Sequence, residues 1–216
     1  MTAKHGFFCV FEGVDGSGKT GTLAHIESAL AKDGVALLAT REPGGTEEGL
    51  ALRKLLLGGS HRWTPNAELL LVNAARAQHV EKVLRPALGD GKLVLCDRFI
   101  GSTLAYQGAG HGIGDERIRA LHKIAAGDLW PDLTILLDVD PELAVKRSRR
   151  RLAASASDEG RFEALDLDFH RRVRRSFLDQ AARAPTAHVV LDASRPQQIV
   201  EADALAALRA ALKARG

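Results

Sequence analysis

The eight residues Gly13-Val14-Asp15-Gly16-Ser17-Gly18-Lys19-Thr20 constrain this chain more than any other stretch. They satisfy the spacing G-x-x-x-x-G-K-[ST] in full. The run before them, Gly6-Phe7-Phe8-Cys9-Val10-Phe11, has no polar alternation and predicts a strand buried on both faces. After them, Thr22 to Lys32 sets Leu23, Ile26, Ala29 and Leu30 at helical spacing, with Gly34 placed as a C-terminal cap. A glycine-rich turn between strand and helix can aim successive N–H groups at phosphate oxygens, and the helix N-terminus adds partial positive charge. A nucleoside triphosphate is therefore expected on Gly13, Val14, Asp15, Gly16, Ser17, Gly18, Lys19 and Thr20. Lys19 would reach the β- and γ-phosphates, and the Thr20 hydroxyl would hold Mg²⁺.

The rest of the chain alternates in the same way. Strands are predicted at Val35–Ala39, Lys92–Cys96, Leu133–Leu137 and His188–Leu191. Helices are predicted at Glu47–Leu57, Ala67–Leu88, Asp115–Ala126, Pro141–Arg150, about Glu163 to Arg183, and Pro196–Leu212. No linker or repeat interrupts them. The pattern predicts one α/β domain over residues 1–216: a three-layer fold whose five-stranded, mainly parallel sheet is flanked by helices.

Composition narrows the function classes. With 45% apolar and 26% charged residues, the chain is neither disordered nor of low complexity. No apolar run approaches the roughly 18 residues of a membrane helix. The opening Met1-Thr2-Ala3-Lys4-His5 lacks the apolar core of a secretion signal, so a cytoplasmic protein is expected, with no membrane partner. Cys9 and Cys96 lie in separate apolar runs without metal-site spacing and are expected as buried thiols. The net charge of +3 is too small to require a nucleic acid. Between Lys146 and Arg175, however, ten Lys/Arg face five Asp/Glu, leaving the remainder of the chain slightly acidic. Only two aromatics, Phe162 and Phe169, interrupt that basic run, so no nucleic-acid partner is expected.

Three polar clusters follow strand ends: Arg41-Glu42-Pro43-Gly44-Gly45-Thr46, Asp97-Arg98-Phe99, and Ser102-Thr103-Leu104-Ala105-Tyr106-Gln107-Gly108. Open parallel sheets form their ligand crevice at these carboxyl ends. Together with Phe11-Glu12 before the glycine loop and Pro131-Asp132-Leu133-Thr134, in this order, they give a sequence that resembles the bacterial thymidylate kinases, nucleoside monophosphate kinases of the P-loop NTPase fold. The resemblance covers almost the whole chain. It implies transfer of a phosphoryl group from ATP to dTMP with Mg²⁺, for dTTP synthesis, usually in a homodimer.

Site residues follow from that resemblance. A phosphate acceptor is already an anion, so the task is to align two anions and neutralise the transferring group, which favours arginines. Arg98 would hold the acceptor phosphate, with Arg53 a second contact or simply a surface charge. Asp97 would act on Mg²⁺ or cap a helix. Asp15 corresponds to the acid that accepts from the acceptor's 3′-hydroxyl, with Glu12 either in support or in a structural role, and Glu42 also at the acceptor. Arg76 and Gln107 correspond to residues that read the pyrimidine edge. Tyr106 corresponds to the tyrosine that crowds the sugar 2′ position, and Ser102 and Thr103 to small polar groups near the base. One position departs: Val72 stands where the family usually stacks a phenylalanine on thymine.

The basic run occupies the place of the family's lid, about residues 147–162. The residues between Gly13 and Lys19 carry no base, which resembles the subtype whose lid arginines supply catalytic charge, here Arg161, then Arg151 and Arg147. Arg149, Arg150, Arg171, Arg172, Arg174 and Arg175 would largely form a solvated face. Asp192-Ala193-Ser194-Arg195 corresponds to the loop beside adenine. Two alternatives stay open: a related kinase with altered base preference, motivated by Val72, and a non-catalytic ATP-binding regulatory protein, for which Arg76, Arg98 and Gln107 would be superfluous.

Overall fold

The computed structural model describes residues 6–58, 61–155, 161–162 and 164–215, with the backbone alone at 151 and 153–155. The element order is β1 (Phe7–Glu12), α1 (Lys19–Lys32), β2 (Leu37–Arg41), α2 (Glu47–Leu57), α3 (Pro65–His79), a π-helical turn (Val80–Leu84), α4 (Arg85–Gly89) and β3 (Leu93–Asp97). There follow α5 (Ile100–Thr103), a second π-helical stretch (Leu104–Gly110), α6 (Asp115–Ala126), β4 (Leu133–Asp138), α7 (Pro141–Ser155), α8 (Leu167–Arg183), β5 (His188–Asp192) and α9 (Gln197–Arg215).

Among the described residues the strands form one sheet in the order β2-β3-β1-β4-β5, with every neighbouring pair parallel. The sequence pattern explains the layering. On β1, Phe7, Cys9 and Phe11 join Leu23, Ile26 and Leu30 of α1 and Ala204 and Leu208 of α9 in one core cluster. Phe8 and Val10 point the other way, into Leu84, Leu88, Phe99 and Ile118. A strand that alternates between two apolar clusters must be covered on both faces, which gives three layers.

Several boundaries differ from the sequence pattern. The first helix starts at Lys19 rather than Thr22, because Gly18 takes a left-handed conformation (φ 99) that ends the loop at once. The expected Ala67–Leu88 helix is broken by the π turn at Val80–Leu84. Pro86 has no N–H to offer the preceding turn, and the wider turn ahead of it absorbs the mismatch. Residues 100–110, to which the sequence pattern assigned no element, are helical throughout, ending in the π stretch. α8 begins at Leu167 and not near 163, since the Asp166 side chain caps it, accepting from Phe169 N at 2.6 Å. Cys9 and Cys96 are free, buried thiols as expected.

Candidate functional site

The glycine loop sits where β1 gives way to α1, against the start of α7. Gly16 has φ 85, and a Cβ there would collide with the carbonyl oxygen of Ala144, so both the backbone angle and the packing demand glycine. Lys19, 6% exposed, turns its ammonium onto the loop itself, donating to the carbonyls of Gly13 (2.9 Å) and Val14 (3.0 Å). Burial, then the nearby Arg98 guanidinium, lower its pKa to about 8 against the attraction of Asp97, Asp15 and Glu12. Thr20 Oγ1 donates to Asp97 Oδ2 at 2.8 Å, joining the first turn of α1 to the end of β3.

Arg98 follows that strand with φ 76, the left-handed region that a side chain of this size rarely adopts. The turn throws its guanidinium back across the loop. Nη1 donates to Gly13 O (3.1 Å) and Ser102 Oγ (2.8 Å), and Nη2 to Asp15 Oδ1 (2.6 Å) and Tyr106 OH (3.3 Å). Tyr106 OH in turn donates to Asp15 Oδ2 at 2.7 Å. Burial alone would raise the Asp15 carboxyl, yet Arg98 and Lys19 hold it well below the usual carboxylate range. Beneath them Glu12 accepts from Phe99 N (3.0 Å), Ser102 N (2.9 Å) and Ser102 Oγ (2.6 Å), so the serine relays between Arg98 and a buried acid whose pKa burial pushes up.

Two cavities meet at this cluster. One, of about 480 Å³, runs from the glycine loop past Lys19, Thr20, Asp97 and Arg98 to Arg147, Ser148 and Gln197. The other is lined by Val72, Arg76, Thr103, Tyr106 and Gln107. Asp15, Glu42, Arg53, Leu57, Arg98 and Phe162 belong to both, making one crevice with two arms. In the second arm Arg76 is 1% exposed. Its Nε donates to Glu42 Oε2 (2.8 Å) and its Nη2 to Thr103 Oγ1 (2.8 Å), over the Phe99 ring. Its Nη1 is buried and has no hydrogen-bond partner among the described residues, leaving a donor free for a ligand.

A crevice at the carboxyl ends of a parallel sheet, with a phosphate loop in one arm and an unpaired arginine donor in the other, fits a two-substrate phosphoryl transfer site. Comparison with known proteins agrees. The thymidylate kinase family model matches residues 11–204. The thymidylate kinases of Cereibacter sphaeroides and Deinococcus radiodurans are 54% and 46% identical over 204 and 205 residues, covering 94% and 95% of this chain and 94% and 97% of theirs. The chain belongs to the thymidylate kinase family.

The crystal structure of thymidylate kinase from Ehrlichia chaffeensis shares the fold, with a TM-score of 0.76 and 33% identity over 94% of this chain and 99% of that one. Within the thymidylate kinase frame, most residues singled out from sequence line the crevice. Glycine-loop residues, Lys19, Thr20, Asp97 and Arg98 surround the first arm, and Arg76, Ser102, Thr103, Tyr106 and Gln107 line the second. Arg53 lines both arms and donates to Pro43 O at 3.1 Å. Glu42 faces the crevice too, but Arg76 and His79 Nδ1 (3.0 Å) occupy its carboxylate, so it orients the arginine.

The lid arginines separate. Arg147 lines the first arm and donates to Ala193 O at 2.8 Å, tying α7 to the Asp192–Arg195 loop. Arg161 does not line that arm: its Nη2 lies 2.6 Å from Glu68 Oε2 and its Nη1 donates to Leu56 O, both on the acceptor side. The side chain of Arg151 and residues 156–160 lie outside the described residues. Elsewhere in the basic run, Arg174 clasps Asp138 (2.7 and 2.8 Å), Arg171 pairs with Asp168 and Glu142, Arg175 with Asp179, and Arg172 donates to Ala109 O and Gly110 O.

Sequence reading passed over Glu68 and Phe162. Glu68, Val72 and Arg76 repeat at i, i+4 and i+8 on α3, the spacing of a single helix face, so Arg76 pointed to its neighbour. Phe162 carried no such signal. It reaches both arms, edge-on to Tyr106 with ring centroids 5.3 Å apart.

Mg²⁺ is a hard cation that takes one or two protein oxygens and completes its shell with phosphates and water. Thr20 Oγ1 and Asp97 Oδ2, already 2.8 Å apart beside the loop, fit that donor set. Among the described residues no helix is long and apolar enough to cross a membrane.

Proposed function

We propose that this chain transfers the γ-phosphoryl group of ATP to the phosphate of dTMP, releasing ADP and dTDP. The observation that carries the reading is the shared wall of the crevice: Arg98 and Asp15 bound what the glycine loop would hold and what Arg76 and Gln107 would hold. An acceptor phosphate oxygen attacks the γ-phosphorus as the bond to the β-phosphate bridge breaks, and no base is required because the nucleophile is already anionic. Lys19 leaves the loop carbonyls for the β- and γ-phosphates. Arg98 keeps the acceptor phosphate in line, and Tyr106 and Asp15 present polar groups to the sugar.

Thr20 and Asp97 would hold Mg²⁺, which on binding neutralises the polyphosphate. Arg147 closes the nucleotide arm from α7, and Arg161 supplies charge at the transferring group once it leaves Glu68. Residues 147–162 act as the lid of a single domain. Family membership and the exposed Leu50, Leu55 and Leu70 of the packed helices α2 and α3 support a homodimer, which light scattering tests. The chain carries out this chemistry in the cytoplasm.

Steady-state turnover with dTMP, dUMP, dCMP, dGMP and thymidine tests the substrate. The highest kcat/KM is expected for dTMP, and negligible dTMP turnover beside another acceptor would sink the reading. Val72, which lines the acceptor arm in place of an aromatic, gives the competing reading of an altered base preference its footing.

A further inference from the structure

Glu68 is fully buried on α3, and three side chains from two other segments converge on it. Gln107 Nε2 donates to its Oε1 at 2.7 Å, His111 Nε2 stands 3.1 Å from the same oxygen, and Arg161 Nη2 lies 2.6 Å from Oε2. Burial would drive this carboxyl toward its neutral form, but the three partners more than offset that, and its pKa lies below the ordinary range. It is an anion inside the protein.

An ionised carboxylate is an acceptor only, whereas a carboxamide has one face that donates and one that accepts. Gln107 must therefore turn its NH₂ to Glu68, which leaves its carbonyl oxygen as the atom available to the acceptor arm that it lines. On the same wall Arg76 Nη1 is a buried donor without a partner among the described residues. The wall thus offers one donor and one acceptor. The pyrimidine edge of thymine, with a carbonyl at C4 and an N–H at N3, complements that pair, whereas cytosine presents an amino group and a bare nitrogen at the same places and opposes both.

We propose that Glu68 is a specificity-determining positioning residue, which fixes the polarity of the Gln107 amide and so sets the base pocket for a pyrimidine with an N3–H. The inference rests on the dTMP kinase reading and deepens it. Glu68 touches no substrate; it acts through Gln107, and His111, joined by Arg161 until that arginine moves to the transferring group, holds it in its anionic form. Glu68→Gln keeps the shape but removes the constraint, because a glutamine at this position accepts from or donates to Gln107 equally well. The amide of Gln107 is then free to present its NH₂ to the N3 of cytosine. Arg76 still opposes the cytosine amino group, so selectivity falls without inverting.

The test is kcat/KM for dTMP and for dCMP in the wild type, in E68Q, in Q107A and in the double variant, with ATP held saturating. E68Q is expected to lower the dTMP-to-dCMP ratio roughly tenfold or more, the size of one lost polar match, mainly through the KM values of the acceptors. In the Q107A background the same change should leave the ratio unaltered, because its effect passes through that amide. A merely structural role would lower both acceptors alike and keep the ratio, which would overturn the proposal. Should E68Q fail to fold, E68D keeps the charge but withdraws it from Gln107, and a wild-type ratio in E68D overturns the proposal equally. A wild type without preference for dTMP would defeat the functional reading and this inference together, whereas a preference that survives in E68Q defeats this inference alone.

Discussion

Arg98 Nη2 and Asp15 Oδ1 form a 2.6 Å ion pair that ties the end of β3 to the glycine loop, with Tyr106 OH donating to the other carboxylate oxygen. The pair sits in the wall common to both arms, its side chains 15% and 24% exposed. Because the arginine already lies between the carbonyl of Gly13 and the hydroxyl of Ser102, little reorganisation is left for the moment of transfer.

Replacing Arg98 with alanine removes the charge that would hold the acceptor phosphate and leaves Asp15 without its main counter-ion. Turnover of dTMP is expected to fall by about 10² to 10³, the loss of one preorganised transition-state donor, with a raised KM for dTMP. ATP affinity should change far less, since Lys19 and the loop backbone remain. Steady-state kinetics and ATP titration check both halves, and an unaltered dTMP rate would remove Arg98 from the phosphate site.

Phe162 supplies an aromatic ring to the acceptor arm in a chain whose α3 carries Val72 instead of one. Phe162→Ala is expected to weaken dTMP binding by about threefold to tenfold, on the scale of one lost aromatic contact. Calorimetric titration of dTMP without ATP measures this directly. Unchanged affinity would show that the ring packs on Tyr106 and contributes nothing to the acceptor.

Asp97→Asn keeps the hydrogen bond from Thr20 possible but removes the charge facing the cation. The Mg²⁺ concentration for half-maximal rate should rise by about tenfold, and Thr20→Ala should act in the same direction. Rates measured across a Mg²⁺ series at fixed ATP decide the point. An unshifted midpoint in both variants would move the cation away from this pair.

How much of this arrangement was legible beforehand depended on how local its cause is. The glycine loop was legible because its chemistry is written in eight consecutive residues, and the parallel sheet because β1, β3 and β4 are buried on both faces and read as apolar runs, with Thr134 the one polar residue inside them. The helical character of residues 100–110 was hidden by Gly101, Gly108 and Gly110, which lower helix propensity; packing against α8 compensates. Arg161 shows the other limit. Its partner Glu68 is remote in sequence, and nothing in the basic run distinguishes an arginine that will pair with a buried acid from one that faces solvent. Glu68 itself was within reach, since its spacing from Arg76 on α3 put both on one face.

The lowered pKa of Lys19, about 8, makes nucleotide binding depend on pH in one direction. Phosphates favour the charged ammonium, so the pKa rises in the complex. Below pH 8 the lysine is charged in both states and ATP affinity should be flat; above it, binding must take up a proton and affinity should weaken by up to tenfold per pH unit. Titration calorimetry at pH 8.5 in buffers of different ionisation enthalpy should show an uptake of about three-quarters of a proton. Lys19→Arg should abolish that uptake, and an equal uptake in the variant would place the proton elsewhere.

His122 gives a stability prediction of the opposite practical reach, in acid. Its Nε2 lies 3.1 Å from Leu129 O, and its ring sits edge-on between Phe99 and Trp130, at centroid distances of 5.4 and 4.8 Å. Its other nitrogen, Nδ1, is buried without a partner among the described residues, so the ring is accommodated as the neutral form. Burial, then the charge of Arg76, lower its pKa from 6.5 to about 4. The unfolded chain therefore binds this proton first as pH falls. Its contribution to stability is complete above pH 6.5 and is lost on the way down to about 4, with a slope of at most about 1.4 kcal/mol per pH unit. His122→Gln is expected to be less stable at pH 7, where the stacked ring is lost, but to show a shallower fall between pH 6.5 and 4. Urea unfolding at several pH values compares the two slopes, and equal slopes would mean that His122 is protonated in the folded protein.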